Sequence, residues 1–294
     1  MKKRKTKASL TDFLPSALPQ TRKDQFFFIL KNQYRTLFKG GMWLALCMFP
    51  IVLVVYFQNR FEIGFYQKFL AGSLSKEDYN ASINVLMIYG TLFETLFTFV
   101  SSLALAGFNR VMKSLLVGEG ILFFDDFKEG IKQNYCNTAL LFFFFGILLS
   151  LCRFVGTFFI EYYLGLPFYI LLMLLVIPIF TIASIFSSIY ECNVFQAIWN
   201  ATKLYFPYWW KYLLLSIFLF GMVHALSLLE TLPILLAVLQ LLLIIFLLPI
   251  FILLLYGLSF SLFDKYVNPI YYPAFCNAGL YRPNEEANLL RKKE

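Results

Sequence analysis

The chain alternates long apolar runs with shorter polar links, and the runs have the length of bilayer-spanning helices. Six can be marked, at about 41–57, 82–107, 138–164, 166–190, 212–229 and 232–263. A helix needs about 20 apolar residues to cross the hydrocarbon core, so run length separates a span from a buried core helix. The links after the third and fifth runs are only a few residues long, which makes the flanking runs antiparallel neighbours. The pattern predicts an all-α membrane protein of about six transmembrane helices, arranged as three helical hairpins. The last run, 232–263, would extend about 48 Å as a helix against a core of about 30 Å. It is expected to tilt, to kink at Pro249 or to protrude. Pro50 and Pro178 fall inside the first and fourth runs, where neighbouring helices can re-satisfy the carbonyls that a proline frees.

Each predicted hairpin is preceded by an aromatic, basic stretch: FFFILKNQYRTLFK at 26–39, FDDFKEGIKQNYCN at 124–137 and FQAIWNATKLYFPYWWK at 195–211. These read as cytoplasmic amphipathic helices, each with a Lys followed within three residues by a Tyr: Lys31 and Tyr34, Lys132 and Tyr135, Lys203 and Tyr205. Two readings stand: a threefold repeat of amphipathic helix plus hairpin, or the ordinary use of Lys and Tyr at a membrane interface. Phe108, Val111, Leu115 and Leu116 recur at helical spacing and end at Gly118-Glu119-Gly120. A further helix is expected to start near Asp126, with Glu129 completing a capping box. The link between the first two runs, FEIGFYQKFLAGSLSKEDY, predicts a separate short external interfacial helix.

Charge orients the array. The stretches 1–40, 108–137, 191–211 and 264–294 hold ten, four, two and five of the 25 Lys and Arg, whereas 58–81 holds three and the other two links none. Loops that keep Lys and Arg are cytoplasmic, so both termini are expected inside. The domain reading is a mobile basic tail over 1–24, a six-span membrane domain over 25–263 and a cytoplasmic aromatic and proline-containing tail over 264–294. The net charge of +8 sits in the cytoplasmic flanks, where it attracts anionic lipid. The expected partner is therefore a lipid bilayer with anionic lipids at its cytoplasmic face, not nucleic acid.

Candidate chemistry is sparse. Cys47, Cys136, Cys152, Cys192 and Cys276 lack metal-ligand spacing, and His224 is the single histidine, so no metal, cofactor or catalytic triad is expected. Ionisable groups inside spans cost about 2.5–3.5 kcal/mol each on insertion scales, which singles out Glu94, Arg153 and His224. Glu94 and Arg153 can pair across two helices, or Arg153 can snorkel outward toward Glu161 or external water. Glu119, Asp125, Asp126 and Glu129 form an acidic cluster that reads as helix capping and solvation.

The stretch Ala104–Tyr135 resembles the YesL-like family of bacterial membrane proteins. The resemblance lies in Ala106-Gly107, Arg110, Gly118-Glu119, Phe124-Asp125-Asp126-Phe127 and Lys132–Tyr135. It covers roughly a third of the chain, and this chain is longer than typical members. The resemblance implies a bacterial cell-membrane protein without a defined catalytic residue, in an accessory role beside carbohydrate uptake. On this reading the protein is not an enzyme but an accessory or scaffold component of a transport system. Arg110, Phe124, Asp126, Phe127, Lys132 and Tyr135 are the candidate cytoplasmic docking residues. The competing reading is a small-solute transporter or channel using Glu94, Arg153 and His224. An intramembrane enzyme built on Glu94 and the Asp125/Asp126 pair ranks last. Residues 264–283 are expected to pack through their aromatic rings against helices near 108–137 and 195–210, with 284–294 left mobile or as a short surface helix.

Overall fold

The computed structural model describes residues 19–158, 165–227 and 231–281, with side chains around 152–173 and 219–225 outside the description. Among the described residues the chain is all helical. The helices are α1 (Arg22–Asn32), α2 (Tyr34–Leu70), α3 (Lys76–Val117), α4 (Phe123–Phe158), α5 (Gly165–Ile189), α6 (Val194–Tyr205), α7 (Trp209–Ser227), α8 (Pro233–Tyr266) and α9 (Asn268–Tyr271). Three of them, α2, α3 and α8, are long and apolar enough to cross a membrane. Outward-facing side chains such as Leu46, Leu92, Leu96 and Phe246 are 56–64% exposed on the bundle surface, as lipid-facing positions would be.

Several expected boundaries vanish because nothing breaks the helix. The stretch 58–70 does not form a separate interfacial helix; it continues α2, and the turn to α3 spans only 71–75. Gly72 takes φ +70° there, and the Ser75 hydroxyl accepts from the Asp78 N–H to start α3. The 124–137 stretch likewise runs into the next apolar run as one 36-residue helix. Extending an existing helix adds a hydrogen bond per residue, whereas a new helix needs a costly nucleus. At 206–208 a 3₁₀ turn containing Pro207 separates α6 from α7. The three amphipathic stretches are therefore unequal. Tyr34 is 56% exposed and Tyr205 only 3%, so their side chains do not repeat one environment.

At the N-terminus, α1 opens at Arg22, inside the stretch expected as a mobile tail. The reason is a capping box: the Asp24 N–H donates to Thr21 Oγ1 at 3.1 Å, and the Thr21 N–H returns to Asp24 Oδ2. Such a pair satisfies two of the donors that a helix start leaves orphaned.

Packing follows small residues. α3 lies between α2 and α4, α4 packs on α5, α5 carries α6 and α7, and α8 runs chiefly along α2 rather than along its sequence neighbour α7. α7 reaches α8 through a hydrogen bond between Tyr212 and Ser259 at 3.0 Å. The densest part of the core is the basic end of the bundle, built from α3 at Ala104–Leu116, α5 at Ile182–Tyr190 and α8 at Phe251–Phe263. Ala104, Ala106, Gly107, Ala183 and Ser184 let backbones approach there, the usual device where helices associate without a large hydrophobic drive.

Two of the proline-freed carbonyls are met by other helices, one through a hydrogen bond and one through packing. Pro178 cannot donate to Leu174, and the Tyr205 hydroxyl of α6 donates to that carbonyl at 3.3 Å. Pro249 leaves the Ile245 carbonyl open, and Gly41 of α2 packs directly against it.

Candidate functional site

The six residues expected to form a docking surface divide between packing and exposure. Phe127 is 5% exposed. Its ring sits against Gly107, stacks on Phe123 at 5.7 Å and meets Trp43 at 5.5 Å. Arg110 lies over Gly130, whose missing Cβ leaves room for the Arg110 side chain and the Ala106 carbonyl. Its guanidinium faces Glu129 at 3.8 Å, while its Nε is buried without a hydrogen-bond partner. Tyr135 meets Phe99 edge-on at 5.9 Å. Contacts of these three hold α4 against α2 and α3, with Phe127 buried and Arg110 and Tyr135 half-buried.

Asp126 has a capping role, but not as the first residue of a new helix. α4 starts three residues earlier, and Asp126 Oδ2 accepts from the Leu122 N–H at 3.0 Å. Glu129 does not close a box; it accepts from Gln133 and faces Arg110. What remains exposed is Phe124, at 53%, with Leu122 at 69% beside it and Lys132 further along. Lys39 of α2 reaches over the Phe123 and Phe124 rings at 6.0 and 5.8 Å.

A polar latch beside this surface was missed by sequence reading. Arg22 donates to Asp264 from both Nε, at 3.0 Å, and Nη2, at 2.6 Å, and both side chains are only 9% exposed. Arg22 Nη1 also donates to Gln25 Oε1 and to the Ala278 carbonyl, and the guanidinium lies over the Phe260 ring. Asp264 Oδ1 accepts from Asn268 Nδ2 and from the Asn277 N–H, both at 2.9 Å. Buried Gln25 donates to the Leu116 carbonyl at the end of α3, one of the acceptors a helix C-terminus leaves open. Gly279, at φ +76°, presses against that same carbonyl, and the Tyr281 N–H closes on Pro19. Chain segments 240 residues apart are thus tied over the end of α3.

The latch adds partners to those expected for the tail. Residues 264–281 do reach α3 near 113–118, and Lys265 and Tyr266 approach Tyr208. Their main partners are α1 and the end of α5, where Tyr190 bonds Asn268 and stacks on Tyr272 at 4.6 Å. Ile270 and Tyr271 stay 70% and 72% exposed, so the tail is fixed by its polar groups together with Tyr266, Tyr272 and Phe275. Residues 284–294 lie outside the described residues.

Of the candidates inside the apolar runs, Glu94 lies half-exposed on α3, with its backbone carbonyl accepting from the Thr98 hydroxyl. Arg153 and His224 occupy helical positions on α4 and α7. Their side chains, and with them the Glu94–Arg153 pairing, lie outside the described residues. Among the described residues no group of three or more His, Cys, Asp or Glu is placed to hold a metal. Cys192 lies in the link between α5 and α6, and burial pushes its thiol above the ordinary value. A thiol so shifted stays protonated and is a poor nucleophile.

Between α3, α4, α5 and α8 lies a cavity of about 180 Å³. Its buried end holds Asn109, Ser184 and Tyr256. Asn109 Nδ2 donates to Ser184 Oγ at 3.1 Å, and the Tyr256 hydroxyl is hydrogen-bonded to the Ser188 hydroxyl and donates to the Asn109 carbonyl. The other end is part-exposed and lined by Met48, Phe145, Ile177 and Leu248. Pro50, Pro178 and Pro249 sit within two residues of three of these. Sequence reading noted the prolines but not the cavity, because Asn109 reads as one polar residue on a helix face.

No protein-family model, curated protein or solved structure matches the chain.

Proposed function

We propose that the chain is a six-span protein of the bacterial cell membrane, with both termini in the cytoplasm, acting as a non-enzymatic accessory or scaffold component beside a transport system. The spans would be α2, α3, α4, α5, α7 and α8. The observation that carries this reading is the built-up basic end. At about 1.5 Å per residue, α2, α3 and α8 run about 56, 63 and 51 Å for their 37, 42 and 34 residues, well beyond a hydrocarbon core of about 30 Å. At the basic end this excess is knitted together by the latch and by the tail. A rigid, Lys- and Arg-rich platform suits docking better than conduction. The YesL-like resemblance of 104–135 points the same way, and carbohydrate uptake is the transport class it suggests.

The small-solute transporter is the second reading, and it rests on the intramembrane positions of Glu94, Arg153 and His224. The cavity weighs against an ion path, since no charged side chain among the described residues lines it.

Copurification from native membranes in mild detergent tests the accessory role. A partner should come with the wild-type protein and be lost from a Phe124→Ser/Lys132→Ser variant that still folds. A protein that always emerges alone would end this reading. Orientation has its own test: cysteines introduced at 65–80 should react with an impermeant maleimide on intact cells, and those at 1–20 or 280–294 should not. The opposite pattern would invert the topology that the charge bias supports.

A further inference from the structure

We propose that the cavity between α3, α4, α5 and α8 binds a neutral, single-chain amphiphile: one apolar tail ending in a small hydroxyl- or carbonyl-bearing head. The class follows from the shape and chemistry of the lining. The cavity runs along α5 from Ile185 to Ile177, about 12 Å at helical rise. Its buried end carries hydrogen-bonding groups, the Asn109 carboxamide with the Ser184 and Tyr256 hydroxyls. Its part-exposed end is purely apolar. A head therefore lies inside and a tail leaves between helices at the level of the three prolines.

Charge selects further. Among the described residues no charged side chain lines the cavity, and an ion buried without a partner is strongly disfavoured, which selects against carboxylate and phosphate heads. Size limits the enclosed head to about a single ring: a cavity of about 150 Å³ holds one benzene ring, and this one measures about 180 Å³. Phe142, Phe180 and Phe251 give the walls an aromatic surface suited to an unsaturated chain or a ring. An isoprenoid alcohol and a quinone share this chemistry, and both partition into the bilayer interior from which the cavity would be entered. The inference requires the membrane setting but not the accessory role.

The test uses the full-length protein in mild detergent with four probes: farnesol, decylubiquinone, the hydrocarbon farnesane and palmitate. Farnesol, decylubiquinone or both should raise the melting temperature, and which of them does so separates the two sources. Farnesane and palmitate should leave it unchanged. Thr181→Phe, which fills the cavity from α5, should abolish the shift. Asn109→Leu, which removes the polar end, should weaken binding by roughly tenfold. Should either variant fail to fold, the wild-type protein decides alone: a diazirine-bearing farnesol should cross-link at Phe142, Phe145 or Phe180 and be competed by unlabelled farnesol. Adducts spread over Leu92, Phe93 and Leu96 without competition, or an equal shift with farnesane, would overturn the proposal.

Discussion

Arg22→Ala should destabilise the protein by about 3–5 kcal/mol, the usual cost of removing one partner from a buried ion pair. The truncation would leave the Asp264 carboxylate, 9% exposed, with its Oδ2 bereft of both guanidinium bonds. It would also strip donors from Gln25 Oε1 and the Ala278 carbonyl. The effect should be local as well as global. Asn268 and the Asn277 N–H are held by the same carboxylate, so 266–281 should become sensitive to limited proteolysis in detergent, whereas the wild-type segment should resist. Arg22→Lys should fall between, because an ammonium replaces the charge but not the forked donors. Arg22→Met combined with Asp264→Asn should recover part of the loss, since the stranded charge is then gone while an amide oxygen can still accept from Asn268 and Asn277. A melting temperature for Arg22→Ala equal to that of the wild type, with 266–281 still protected, would show that the latch is ornamental to stability.

The latch also marks where sequence reading stops. Run length and composition reveal the helices, because an apolar run of bilayer length has few other outcomes. Nothing in the sequence joins Thr21, Arg22 and Gln25 to Asp264, Asn268 and Asn277. Each set lies in a polar stretch that reads as a tail, and the two are brought together only because α1 and the end of α8 flank the same end of α3. The candidate docking residues show a second gap. Phe127 and Arg110 stand out in the sequence for aromatic and basic character, and both also pack in the α3–α4 contact that Gly107 and Gly130 permit. A glycine opposite a large side chain is the signal that would have found this, and without a neighbour's identity it cannot be read. Helix ends followed local rules where a cap or a proline was present, as at Thr21 and Pro207. They failed at 58 and 138, where an expected change of environment came with no change in backbone preference.

Glycine substitutions in α2 give a paired test of that distinction. Gly41 and Gly64 lie on one helix, so intrinsic propensity favours Ala at both by about 0.5–1 kcal/mol. Their surroundings differ. A Cβ at Gly41 would lie 2.0 Å from the Ile245 carbonyl oxygen and 3.0 Å from Pro249 Cγ, whereas at Gly64 nothing comes within 4 Å. The obstacle at Gly41 is the backbone of α8, with the Pro249 ring beside it, so it cannot move aside as a flexible side chain could. Gly41→Ala must therefore push α2 and α8 apart, and overpacking of this kind costs about 1–3 kcal/mol net of smaller gains. Gly41→Val should cost more still, and should expose the α2–α8 seam to cysteine-directed reagents at positions such as Ala45. Gly64→Ala should be neutral or stabilising by up to about 1 kcal/mol. Thermal melting of the two Ala variants in the same detergent decides it: a drop at 41 with none at 64 is expected. Equal effects would mean that the close crossing of α2 over Ile245 does not exist in the folded protein.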